Sequence, residues 1–295
     1  MEATETQLSH APIAASIIDK IETLLNINRY EEAEAHCYQA LAEEPEDVYI
    51  HCLLARTQLY LNKPKDSELT LKQAIQCDPD YPWTYYLLSK VNHELLKFTL
   101  ELSYAETAAQ LDPEEVTFLI RLTEAQLQNG DIKQAKATIQ QVIKLDPDSV
   151  VGLWLLGDVE LQLANYSSSE KYYREALKFD PENIGLLSDL ATSLSAQKNK
   201  LRESIDILFN IVQLDPTNKS ISKNLYSVIQ DWLDKNSFKG KGKQALSDLP
   251  EPLQYFYQDY KSRSSIFEAY GRFGWTFIWI GLFAAMFAVF SLLGV

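Results

Sequence analysis

Six prolines recur at an almost constant interval along the first 216 residues of this chain. Five of them follow an aspartate, and the first follows a glutamate. Proline disfavours helical geometry in the residue before it and can itself begin the next helix. The interval therefore predicts a repeated unit in which each proline separates two helices. The spacing is 34 residues between successive members and 35 before the last: Pro45, Pro79, Pro113, Pro147, Pro181 and Pro216.

Small side chains recur in the same phase. The eighth, twentieth and twenty-seventh positions are mostly alanine, serine or another small residue, as at Ala55, Ser67 and Ala74 in the second repeat. Two exceptions are Ile21 at an eighth position and Glu101 at a twentieth. With this pattern the chain resembles the tetratricopeptide repeat family, whose unit is a 34-residue helix–turn–helix. The phase is counted from Ala14, Val48, Pro82, Val116, Val150 and Ile184.

The resemblance implies an all-α superhelical solenoid of about six repeats over residues 14–218. Only four of the ten glycines precede residue 235, a distribution that suits helices. The next segment, 219–235, carries apolar residues at four-residue spacing and is predicted to form a helix. Such a helix would cap the open hydrophobic face of the last repeat. Residues 1–13 are polar and are predicted to be a disordered arm without a secretory signal.

Charge divides the chain into three zones. The formal net charge is −14 and the pI is about 4.8, which argues against nucleic-acid binding. The first 234 residues hold 20 basic and 37 acidic side chains, whereas residues 235–272 hold seven basic and four acidic ones. We therefore expect a basic and aromatic juxtamembrane linker at 236–272. Its aromatic part, 253–270, is either a helix docked on the repeats or a helix lying in a bilayer interface.

The last 23 residues, 273–295, carry no charge. A helix of this length spans a hydrocarbon core of about 30 Å, and Trp275 and Trp279 lie at one end as an aromatic belt. We expect a single transmembrane helix, bordered on one side by Lys261, Arg263 and Arg272. Positive charge stays in the cytosol, so the repeats should face the cytosol. The host would be the inner membrane in a bacterium, or an organelle membrane reached by tail-anchored insertion in a eukaryote.

Residues with catalytic or metal-binding spacing are not evident. The four histidines do not pair at metal-ligand spacing, and the three cysteines form no CxxC pattern. No glycine-rich phosphate loop or nucleophile elbow is present. We therefore expect a protein that is not an enzyme and that has no cofactor, no metal site and no small-molecule substrate.

In the family that the chain resembles, the first helix of each repeat lines a concave groove. Transferred position by position, this implies a groove rich in aromatic and basic residues that takes a partly apolar protein or peptide. The family's carboxylate clamp is disfavoured, because Ile18 and Glu22 occupy its positions in the first repeat. The predicted groove residues are Tyr49, Arg56, Tyr60, Trp83, Tyr86, Lys90 and Trp154.

The leading functional hypothesis is a membrane-anchored scaffold that binds a protein partner without catalysing a reaction. Two alternatives stay open from the sequence. One is a chaperone-like assembly factor for membrane proteins, and the other is a regulatory subunit of a membrane-bound enzyme complex.

Overall fold

The computed structural model describes residues 12–197, 199–237 and 246–263, and every regular element in these ranges is a helix. The predicted all-α fold is confirmed. Residues 1–11 of the predicted N-terminal arm and the predicted transmembrane segment 273–295 lie outside the described ranges. The helices are α1 Pro12–Asn26, α2 Tyr30–Glu43, α3 Val48–Tyr60, α4 Pro64–Cys77, α5 Pro82–Glu94, α6 Phe98–Leu111, α7 Val116–Asn129, α8 Ile132–Leu145, α9 Val150–Gln162, α10 Tyr166–Phe179, α11 Ile184–Ser195, α12 Leu201–Leu214 and α13 Lys219–Ser237, with α14 at 251–263.

Two compact units divide the chain, Met1–Pro181 and Glu182–Val295. In the first unit, each helix from α1 to α10 contacts the next, which gives five antiparallel pairs in chain order. The first helices of neighbouring pairs also contact each other: α1 with α3, α3 with α5, α5 with α7, and α7 with α9. Side chains from consecutive first helices therefore meet on one wall of this unit.

Local hydrogen bonds end and begin the helices around the repeated prolines. The backbone N–H of Asp78 donates to Ala74 at the end of α4, and its own carboxylate accepts from Asp80, forming a local turn. Asp47 and Asn183 cap the next helices by accepting from a backbone N–H three residues later. The aspartate before the proline thus ends one helix through its backbone N–H and forms a turn through its carboxylate, whereas the residue two positions after the proline caps the next helix.

The turn inside each of the first five repeats uses one residue with a left-handed backbone. These residues follow the same 34-residue spacing, with φ between 56° and 59° at four positions and 82° at the fifth. Glycine and asparagine adopt this conformation readily, whereas leucine and alanine do so at a cost. The five residues are Asn28, Asn62, Leu96, Gly130 and Ala164.

The small positions bring the two helices of a repeat into close contact. Ser67 Oγ donates to the carbonyl of Ala55 over 2.8 Å, and Ser204 Oγ makes the same bond to Ala191 over 2.7 Å. In the fifth repeat the ring of Tyr173 lies so close to Gly157 that an added Cβ would be 2.4 Å from its Cε1. A residue without a Cβ is therefore required at position 157, where the Tyr173 ring occupies the space.

Glu101, the exception to the small pattern, is fully buried and paired. Arg121 from the next repeat places Nη2 at 2.5 Å from Glu101 Oε1, and its Nε donates to Ser89 Oγ over 2.9 Å. His93 Nδ1 lies 3.1 Å from the same carboxylate. A charged side chain is accommodated here because a cation from the neighbouring repeat compensates it.

The second unit contains α11, α12 and α13 with α14 packed on them. Leu225 and Ile229 of α13 join Leu253 and Tyr257 of α14 in one hydrophobic core. Tyr226 stacks on Tyr257 with ring centroids 5.2 Å apart. The sequence left open whether the aromatic segment docks on protein or lies in a bilayer interface. Its described part, 253–263, is docked on protein.

None of the helices in residues 12–197, 199–237 and 246–263 combines the length and the apolar composition that crossing a bilayer requires.

Candidate functional site

A cavity of about 430 Å³ lies on the wall formed by α3 and α5. Six of the seven predicted groove residues line it, and we call this surface the aromatic groove: Tyr49, Arg56, Tyr60, Trp83, Tyr86 and Lys90. The seventh, Trp154, lies on α9 and is not among the lining residues. The stacking of first helices thus brings together residues that are up to 41 positions apart in the chain.

The aromatic side of the groove is held in place by ring contacts. Trp83 contacts the buried Phe118 edge to face at 4.9 Å between ring centroids, and Tyr86 lies 5.7 Å from the same ring. Trp83 and Tyr86 also contact each other at 5.2 Å. Because these rings are already ordered, a ligand that packs on them loses little side-chain entropy on binding.

The opposite end of the groove carries a second aromatic pair. Tyr60 is 55% exposed and stacks on Tyr30 with centroids 4.9 Å apart. The hydroxyl of Tyr49 donates to the carboxylate of Glu22 in α1, which fixes the direction of that ring. Exposed rings in fixed orientations are typical of residues that dominate protein interfaces.

Two cations lie among the rings. The Nε of Arg56 is buried and has no hydrogen-bond partner in the described part of the chain. Lys90 Nζ lies over the ring of Tyr86 at 5.5 Å from the centroid. No described carboxylate forms an ion pair with either cation, although Glu94 lines the same cavity. An unsatisfied buried donor costs free energy, so the groove is suited to a ligand that brings an acceptor.

Tyr86 stays a neutral phenol at physiological pH. Burial raises its pKa above the usual value for tyrosine, and the negative charge of Glu124 acts in the same direction. The groove therefore combines the neutral hydroxyl of Tyr86 with the cations of Arg56 and Lys90.

Residues that the sequence did not single out complete the cavity. Tyr81 and Thr117 lie at helix starts, and Leu53, Leu59 and Leu87 provide apolar surface. Leu53 and Leu87 are buried core residues, so their contribution is not visible in a pattern of exposed positions.

The described residues contain no group of histidine, cysteine and acidic side chains that is arranged to hold a metal ion. Cys37 is fully buried, and burial raises the pKa of its thiol to about 12. A thiol of this kind is a poor nucleophile at neutral pH.

Models of the tetratricopeptide repeat match residues 27–91 and 102–153, and a second model of the same repeat matches residues 152–183. These are tetratricopeptide repeats. The matched ranges contain the six predicted residues of the aromatic groove. Tetratricopeptide repeats generally bind protein or peptide partners and act as interaction scaffolds. No curated protein sequence matches the chain significantly.

Solved structures share the fold at low sequence identity. The pilF protein of Pseudomonas aeruginosa is similar with a TM-score of 0.63 and 16% identity, covering 71% of this chain and 95% of that one. A chain of the APC/C hetero-tetramer Cut9–Hcn1 has a TM-score of 0.66 and 14% identity, and the match covers 73% of this chain and 42% of that one. TTC0263, a thermophilic tetratricopeptide repeat protein of Thermus thermophilus, has a TM-score of 0.53 and 22% identity, and the match covers 61% of this chain and 98% of that one. These similarities show the fold alone.

Proposed function

We propose that this protein is a non-enzymatic scaffold whose aromatic groove binds a partly apolar protein segment carrying an acidic group. The observation that carries the proposal is Arg56, whose buried Nε lacks an acceptor among the described residues, inside a cavity walled by ordered rings. A carboxylate of the partner would satisfy this donor and would also be attracted by Lys90. Neighbouring rings would bury the apolar part of the same segment.

The test is the affinity of the chain for a partner that copurifies after mild detergent extraction. We expect Arg56→Ala and Lys90→Ala each to weaken binding by roughly 1–2 kcal/mol, because each removes a cation that faces the ligand. Tyr86→Ala should have an effect of the same size through lost ring contact. Lys133→Ala removes an exposed charge on α8, outside the groove, and is the matched control.

Thermal melts separate binding from folding in these variants. An unchanged melting temperature with reduced affinity supports the groove as the binding site. Wild-type affinity in all three groove variants would contradict the proposal, and a melting temperature that falls together with affinity would show that the residues serve the core.

We also propose that residues 273–295 anchor the scaffold in a membrane with the repeats in the cytosol. The support is the absence of charge over 23 residues, with basic residues on one side only. Protease added to the cytosolic side of intact vesicles should digest the repeats completely. Protection of the repeats would contradict this orientation.

The copurified proteins also distinguish the two alternative functions. A single stoichiometric subunit with catalytic activity would favour a regulatory subunit. A heterogeneous set of newly made membrane proteins would favour an assembly factor.

A further inference from the structure

A second groove of about 730 Å³ lies between α2, α3 and α4, and the aromatic groove shares none of its lining residues. Its lining includes two large side chains that are mostly exposed, Tyr38 at 54% and Leu69 at 63%. Leu41 adds further apolar surface. We call this surface the outer groove.

Both charged residues that line the outer groove are acidic, and the nearby Lys63 is already paired with Glu34. Glu46 and Asp66 line it, both are exposed, and neither forms an ion pair with a described residue. No lysine or arginine is among its described lining residues. The surface therefore combines exposed apolar side chains with two acidic ones among neutral polar residues, and this is complementary to a basic and apolar segment.

His51 lines the outer groove and has a buried polar atom without a hydrogen-bond partner among the described residues. Only 7% of the residue is exposed, and its Nε2 lies 2.9 Å from the carbonyl oxygen of Pro45. A carbonyl only accepts, so Nε2 must carry the proton in this bond. In the neutral ring Nδ1 is then an acceptor, and it is buried without a partner among the described residues.

The next repeat shows that the bond to proline does not need histidine. Tyr85 occupies the same repeat position and donates its hydroxyl to the carbonyl of Pro79 over 2.7 Å. Tyrosine makes this bond without leaving a second ring atom unsatisfied. The structural role therefore explains Nε2 of His51 but not the free acceptor at Nδ1.

We propose that the outer groove is a second docking site, and that its occupant is a basic amphipathic segment of a partner protein. Apolar side chains of the segment cover Tyr38, Leu41 and Leu69, while a lysine or arginine lies against Glu46 and Asp66. A donor from the same segment satisfies His51 Nδ1. This site is independent of the aromatic groove, which selects the opposite charge.

The test uses the full chain and two short fluorescein-labelled helical peptides, one of leucine, alanine and lysine and one with glutamate in place of lysine. We expect the basic peptide to bind and the acidic peptide to bind at least about tenfold more weakly. Leu69→Lys should weaken binding of the basic peptide by about tenfold or more, because it replaces an apolar contact with a cation that repels the peptide. Equal binding of both peptides, or no binding of the basic one, overturns the proposal.

Three further variants locate the peptide. Leu145→Lys adds the same charge at another exposed leucine, outside both grooves, and should change the affinity less than twofold. An effect equal to that of Leu69→Lys would indicate general attraction to an acidic protein and would overturn the site. His51→Tyr keeps a donor for Pro45 and should weaken binding severalfold at an unchanged melting temperature. Wild-type affinity in His51→Tyr overturns the proposal. Arg56→Ala should leave binding of the basic peptide unchanged. Loss of peptide binding in this variant would place the peptide in the aromatic groove and overturn the outer site.

Discussion

At the scale of single residues, the left-handed turns give a direct comparison between equivalent positions. Asn62 and Gly130 occupy this conformation with little strain, whereas Leu96 has a φ of 56° and is 73% exposed. Leu96 therefore contributes backbone strain without much compensating burial. Because the five turns are equivalent, the residue at one turn can be exchanged for the residue at another.

Leu96→Asn should raise the free energy of unfolding by about 0.5–1 kcal/mol, because asparagine tolerates the left-handed region. Gly130→Ala should lower the free energy of unfolding by about 1 kcal/mol, because alanine adopts the left-handed conformation less readily than glycine. An added Cβ meets no atom there, so the cost is conformational and not steric crowding. Urea denaturation of the two variants checks both signs. A loss of stability in Leu96→Asn would mean that the leucine side chain contributes more than its exposure indicates.

The serines at the twentieth repeat position give a second comparison. Ser67 and Ser204 donate to a carbonyl of the facing helix, but Ser169 Oγ is buried with no partner among the described residues. We expect Ser169→Ala to raise the free energy of unfolding by about 1 kcal/mol, and Ser67→Ala to lower it by a similar amount. Equal destabilisation in both variants would show that Ser169 also has a partner, such as a bound water.

At the scale of elements, the pair of Glu101 and Arg121 joins α6 to α7 across two repeats. Arg121→Met should destabilise the protein by about 3–5 kcal/mol, because Glu101 would remain buried without its cation. The double variant Glu101→Leu/Arg121→Met should recover most of this loss. A double-mutant cycle by urea denaturation measures the coupling, and additive losses would contradict a direct interaction.

The elements also show which parts of the fold follow from sequence pattern. First helices α3, α5, α7, α9 and α11 begin at the residues from which the repeat phase was counted. Proline spacing carries this information because the turns depend on local side-chain hydrogen bonds. The pairing of Glu101 with Arg121 is not local, so the sequence showed only that Glu101 departs from the small pattern.

The two grooves also differ in how far the sequence pattern predicts their residues. Positions on first helices predicted six residues of the aromatic groove, because the repeat phase places them on one wall. Tyr81 was missed since it precedes its helix, and Trp154 lies on a different repeat from the cavity. The outer groove combines second helices from two repeats, where exposed Tyr38 and Leu69 look like packing residues in a periodic pattern.

At the scale of the whole molecule, solubility tests the proposed membrane helix. A chain that ends at residue 263 keeps α14 and lacks the uncharged segment. We expect it to be recovered in the aqueous fraction, whereas the full chain should require detergent. Recovery of both chains without detergent would contradict the membrane proposal and leave the groove proposals unaffected.

The docking of α14 on α13 has a consequence for partners within the membrane. Leu253 and Tyr257 hold α14 in the core of its unit, and nine residues separate Arg263 from Phe273. A chain of nine residues extends at most about 30 Å. If 273–295 spans a bilayer, the end of α14 stays within that reach of the surface. A partner tethered to the same membrane would then meet this protein at an effective concentration that can approach the millimolar range, so micromolar affinity would suffice for occupancy.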